Sequence, residues 1–126
     1  MTTQSILAIK MGLPLNRYTT SSASTHAGVD LTGYVNSGGR AIKCFANLAN
    51  VAGTTPSVTI KVQDSADDTT YADVTGAAFS AATTNGEVGE LHFVTTKKYI
   101  RAVATFTANT TQADVAVMFL LEKRRV

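Results

Sequence analysis

The sequence predicts an all-β protein, an antiparallel β-sandwich of jelly-roll type with an extended N-terminal arm. Short runs of Val, Ile, Ala and Phe alternate with Thr, Lys and Arg at a period of two, the pattern of strands with one face buried. Clusters of Gly, Asn, Ser, Thr and Pro interrupt these runs at short intervals. No window offers an amphipathic helix of useful length, and many short strands separated by turns are the raw material of sandwiches.

Taken in order, residues 4–10 form a weak strand signal. Residues 12–33, "GLPLNRYTTSSASTHAGVDLTG", have no sustained periodicity and read as a long arm, a segment ordered by a partner or by the protein's own body. Its apolar anchors are Leu13, Leu15 and Tyr18. On this reading residues 1–33 form the N-terminal strand and arm and residues 34–126 the sandwich. Removing everything up to Thr32 is then expected to leave a folded domain.

Residues 41–48 place Ile42, Cys44, Ala46 and Leu48 on one face and Lys43 and Asn47 on the other, with Phe45 breaking the alternation. In residues 57–64, Val58, Ile60 and Val62 point inward while Thr59, Lys61 and Gln63 point out. Weaker strands are expected at 71–74 and 88–94. Residues 99–107 direct Ile100, Ala102, Ala104 and Phe106 to the core. The last strand, 114–122, is apolar on both sides: Val115, Val117, Phe119 and Leu121 share one face, Ala116, Met118 and Leu120 the other. Such a strand must be central or covered. "NSGGR", "AGTTP", "TTNGE" and "TANTTQ" mark turns, the first read as a hairpin.

A partial repeat links two of these units. Ile42, Lys43, Ala46 and Leu48 match Ile100, Arg101, Ala104 and Phe106 at one shift, and Val58, Ile60 and Val62 match Val115, Val117 and Phe119 after a loop one residue shorter. Either two copies of a strand pair build the two layers, or simple β alternation produces the likeness.

Composition narrows the function. The chain has 126 residues, 44% hydrophobic and only 16% charged, with a formal net charge of +2. That suits one domain with a proper core and a surface of uncharged polar groups, and it provides no broad basic field for nucleic acid or lipid. Cys44 is the only cysteine, so no intrachain disulfide or Cys-rich zinc site exists. The start of the chain lacks the basic residues that open a secretory signal, and the expectation is a soluble protein made in the cytoplasm.

The candidate chemistry is thin. Asp64, Asp67, Asp68 and Asp73 crowd one segment, but a calcium loop starting at Asp64 has Thr69 in place of the bend glycine and Thr75 in place of the final glutamate. Turn chemistry accounts for "DSADDTT", in which Asp and Ser side chains bond nearby backbone; the alternative is a weak surface cation site. Ser24, His26 and Asp30 form a triad only on paper, because no nucleophile-elbow pattern surrounds a serine. His92 falls on a polar strand face beside Glu90, and Cys44 on an inward one. "EKRRV" at the end is the one basic cluster. No catalytic residue, metal site or cofactor is expected.

The phrase "TTPSVTIKVQDSADDTTYADV", followed by "KKYIRAVATFT" and an apolar final strand, resembles the small decoration or cement proteins of tailed-bacteriophage heads, over roughly residues 40–121. The resemblance implies a non-enzymatic virion protein on the capsid exterior. Its partners would be the major capsid protein and copies of itself, as a dimer or trimer, with no membrane and no direct nucleic-acid contact. Capsid or subunit contacts are expected from Leu13, Leu15, Tyr18, Met118, Leu120, Lys123, Arg124 and Arg125. A carbohydrate-binding sandwich using Tyr34, Tyr71 or Tyr99 and a tail or head-completion part are the alternatives.

Overall fold

A computed structural model describes residues 6–18, 24–25, 28–34, 39–107 and 110–123. They form nine strands: β1 (Ile6–Tyr18), β2 (Ser24–Thr25), β3 (Val29–Asp30), β4 (Ile42–Gly53), β5 (Val58–Ser65), β6 (Ala72–Ala78), β7 (Gly86–Phe93), β8 (Tyr99–Phe106) and β9 (Thr110–Lys123). Two antiparallel sheets result, one in the order β1-β9-β4-β7 and the other β2-β8-β5-β6, with β3 also on β8. β2 pairs with Ala104 and Val103 and β3 with Ile100 and Tyr99, so together they act as one interrupted strand along β8. The result is an eight-position jelly roll, the fold class expected from alternation and turn spacing.

The alternation sets the layers. Ile42, Cys44, Ala46 and Leu48 from β4, Val58, Ile60 and Val62 from β5, Ile100, Ala102, Ala104 and Phe106 from β8, and Val115, Val117, Phe119 and Leu121 from β9 are all buried between the sheets. Phe93 and Phe119 meet edge to face, with centroids 6.0 Å apart. A one-residue slip of any of these strands would carry its whole apolar set to the solvent side, and this fixes the register.

The repeat in the sequence is realised in that register. β4 lies against β9 with Cys44 opposite Phe119, Ala46 opposite Val117 and Leu48 opposite Val115. The repeat-equivalent pairs lie in the other sheet: Ala102 opposite Val62, Ala104 opposite Ile60 and Phe106 opposite Val58. The two strand pairs therefore exchange under an internal pseudo-twofold, and each spans both layers instead of forming one.

Two expectations need correction. The segment called an arm is strand for its first part: β1 runs to Tyr18 and pairs with β9 from Ile6 opposite Lys123 to Tyr18 opposite Ala113. Its periodicity is hidden by register shifts between Met11 and Leu13 and between Leu13 and Asn16, where Gly12 and Pro14 sit. Leu13 and Leu31 are both fully buried in the core, so a chain starting after Thr32 lacks an edge strand and two core side chains. The second concerns "NSGGR", of which Asn36, Ser37 and Gly38 lie outside the described residues: the strands on either side of it, β3 and β4, lie in different sheets and so are not the two strands of a hairpin. Crossing is the rule here, and β5 to β6 is the one link between consecutive strands paired with each other among the described elements.

Candidate functional site

The β5–β6 link is the acidic stretch, and its geometry is that of a turn. Asp67 takes the central place: its Oδ1 accepts from the backbone N–H of Thr69 at 3.0 Å and of Thr70 at 2.9 Å, and the Ser65 hydroxyl donates to it at 2.9 Å. Those donors, the Thr70 amide first, hold its carboxyl below the usual carboxylate range. Asp68 adopts a left-handed φ of 60° and accepts the Tyr71 hydroxyl. Desolvation, followed by this bond to Asp68, pushes the Tyr71 phenol up.

The other two aspartates face elsewhere. Asp64 accepts from the Thr95 hydroxyl at 2.6 Å. Asp73 accepts from Gln63 at 2.9 Å and pairs with Lys61 at 3.0 Å, and these contacts, Gln63 first, depress its pKa. Asp64 and Asp73 both line a shallow groove of about 360 Å³ with Val74, Val94, Thr95 and Thr96, but they do not converge on a common point with a third ligand. No group of three or more His, Cys, Asp or Glu able to hold a metal exists among the described residues.

The outer face of the β2-β8-β5-β6 sheet is a closed polar network. Arg101 gives Nε and Nη2 to Gln63 Oε1 at 2.9 and 2.7 Å, and its guanidinium carbon lies 4.0 Å from the centroid of the Tyr71 ring. Tyr71 is therefore stacked by its own chain on one face. Lys98 lies over the Tyr99 ring at 5.3 Å. Tyr34 bridges to Lys123 on β9, in a different part of the molecule, so the three tyrosines form no common platform.

The opposite outer face, on β1-β9-β4-β7, is apolar. Ile9 is 65% exposed and joins half-buried Phe45, Met118 and Leu120 around a hollow of about 360 Å³ floored by Phe119. Pairing explains the cluster: Ile9 is opposite Leu120, Met11 opposite Met118, and Phe45 opposite Met118 from the other side. At its rim Lys43 approaches Glu90 at 3.9 Å and Phe45 at 5.9 Å, His92 lies 3.5 Å from Glu90, and Arg40 pairs with Glu122 at 3.1 Å.

Of the expected contact residues, Met118 and Leu120 lie together on this face, and Lys123 is exposed at its end. Leu13 is in the core. Leu15 and Tyr18 lie on β1 but their side chains, like the whole of Arg124 and Arg125 and of His26, are outside the described residues. Ile9 and Phe45 were not singled out as contacts. The signal for Phe45 was its break in the alternation of β4, whereas Ile9 joins the patch only through pairing of the two chain ends. Cys44 is fully buried, and burial pushes its thiol up to about 12, leaving no reactive thiolate.

Fold and surface together define a jelly-roll module with one polar, internally bonded face and one apolar face. The same fold is found in the SPBc2 prophage-derived protein YomS, with a TM-score of 0.57 at 11% identity over 98% of each chain. It is found again in the structure of infectious bursal disease virus, Gx strain, with a TM-score of 0.53 at 9% identity; the match covers 96% of this chain and 32% of the longer viral one. No family model matches the chain, and no curated protein matches it by sequence.

Proposed function

We propose that this protein is a structural component of a tailed-phage virion that binds the outer surface of the capsid and stabilises the head shell. The observation that carries the proposal is the jelly roll spanning the whole described chain, with its polar groups engaged in their own network and no catalytic or metal constellation among the described residues. The "QDSADDTTYADV" and "YIRA" resemblance to decoration proteins supports it from the sequence side, and so does the fold shared with a prophage-derived protein and with a chain of a virus particle. The role is non-enzymatic and uses no cofactor.

Mechanically, a cement protein resists strain in a shell through many copies of a stiff part, each making modest contacts that add through avidity. The β5–β6 turn bonded by Asp67 and the Arg101–Gln63–Asp73 chain of side chains suit such a part, because they brace the sheet facing away from the apolar patch. The partner is the major capsid protein.

The test is the molar ratio of this protein to the major capsid protein in purified particles, by quantitative mass spectrometry. A ratio equal to a simple fraction of the capsid subunits is expected. A ratio of a few copies per particle moves the protein to the tail or a unique vertex, and absence from particles removes the virion role.

A further inference from the structure

We propose that the outer face of the β1-β9-β4-β7 sheet is the interface with a second copy of this chain, the two sheets packing face to face across a twofold axis. This deepens the virion proposal by assigning Met118 and Leu120 to a subunit contact, and it stands whether or not the protein is found on particles.

The pseudo-twofold inside the fold provides a control. Lys61 and Gln63 on β5 are repeat-equivalent to Met118 and Leu120 on β9, and both pairs point outward from their sheets. On β5 they are polar and bonded to Asp73 and Arg101. On β9 the same positions are apolar, and Ile9 and Phe45 extend the patch on either side. The fold accepts a solvent-facing set at these positions, so the apolar set is a property of this face and not of the architecture. A contiguous apolar patch on a sheet face marks an interaction surface.

Charge and area select the occupant. The rim cations are matched by rim anions of the same chain, Lys43 by Glu90 and Arg40 by Glu122. Among the described residues, the charged groups beside the patch are therefore paired within the chain and form no block of cations for phosphate or lipid headgroups, which lets an identical face approach without strong repulsion. Its complement has an apolar centre and a margin of paired charges, as this face itself has, and self-complementarity is what a twofold interface requires. Taken as a whole, polar margin included, the sheet face measures at most on the order of 800 Å², with β9 running 14 residues at ~3.4 Å each and the strands ~4.8 Å apart; its apolar centre within a polar margin is the core-and-rim arrangement of a subunit interface.

Sedimentation velocity of the purified full chain decides the matter, read alongside methionine oxidation of the unmodified protein. The expected result is a dimer at roughly 100 µM that Leu120→Glu converts to a monomer with an unchanged circular-dichroism spectrum, while Thr59→Glu on the opposite sheet leaves it dimeric. Should Leu120→Glu fail to fold, peroxide oxidation of Met118 in the unaltered chain still reports, and it is expected to slow by at least about threefold between dilute monomer and concentrated dimer. A chain that stays monomeric with Met118 oxidised at a concentration-independent rate overturns the proposal. So does a closed trimer, or a dimer lost in Thr59→Glu and kept in Leu120→Glu. Protection of Met118 only on capsids, with a monomeric free protein, overturns it in favour of the shell as occupant. None of these outcomes alters the copy number per particle, which tests the virion role separately.

Discussion

Asp67 shows how one side chain decides between a site and a turn. Its carboxylate holds two backbone amides and the Ser65 hydroxyl, a role equivalent to a helix cap, so Asp67→Ala is expected to lower the midpoint of chemical denaturation, with Asp67→Asn recovering part of the loss. Addition of calcium is expected to leave the melting temperature of the unaltered protein unchanged, because Asp67 and Asp73 are already bonded within the chain. Depressed carboxyls set the acid response. The carboxyls of Asp30, Asp67 and Asp73 are all held below the usual aspartate range in the folded chain, chiefly by Thr32, by the Thr70 amide and by Gln63 respectively. Their stabilisation is complete above the unfolded value and lost as pH falls through the folded one. The melting temperature should therefore be flat through the mildly acidic range and fall below about pH 4, and the combined Asp67→Asn and Asp73→Asn variant should fall less steeply. Gly12 has the opposite kind of importance: a Cβ there would stand 2.6 Å from the Phe119 ring, so Gly12→Ala should destabilise by ~1–3 kcal/mol through overpacking, read as a lower denaturation midpoint.

At the scale of elements, β4, β5, β8 and β9 were legible because each sends every second residue into the core over a long run, with Phe45 the exception in β4 and β9 apolar on its outer side as well; residues 41–48, 57–64, 99–107 and 114–122 lie on these strands and overhang them by no more than one residue at an end. β1 was not legible beyond Lys10. Its Gly12, Pro14 and two register shifts break the period that reveals a strand, and β9, far along the chain, supplies the pairing that makes it one. The apolar outer side of β9 announced a covered or central strand, but the two ends of the patch, Ile9 and Phe45, required the strand order to be known. The polar network on β5, β6 and β8 was invisible for the same reason: Gln63, Asp73 and Arg101 lie on three strands. Within it, the stack of Arg101 on Tyr71 should show a coupling of ~0.5–2 kcal/mol in a double-mutant cycle using Arg101→Met and Tyr71→Leu, and its absence would mean the guanidinium is held by Gln63 alone.

For the whole molecule, the jelly roll makes the two chain ends depend on each other. β1 closes one edge of its sheet by pairing with β9 from Ile6 to Tyr18, Leu13 and Leu31 enter the core, and β3 lies along β8. A chain beginning at Gly33 would expose the flank of β9 and leave cavities where two leucines had been, each worth ~2–5 kcal/mol by analogy with Leu-to-Ala substitution in cores. Together they amount to ~4–10 kcal/mol, comparable to the total stability of a typical domain of ~5–15 kcal/mol. Deletion of residues 1–32 is therefore expected to abolish the cooperative thermal transition, and a truncated protein that still melts sharply would return the first quarter of the chain to the status of a detachable arm. The pseudo-twofold explains why no shorter unit suffices: β4 needs β9 and β5 needs β8, so each repeat finds its hydrogen-bond partners only in the other, and the core forms once, from both halves together.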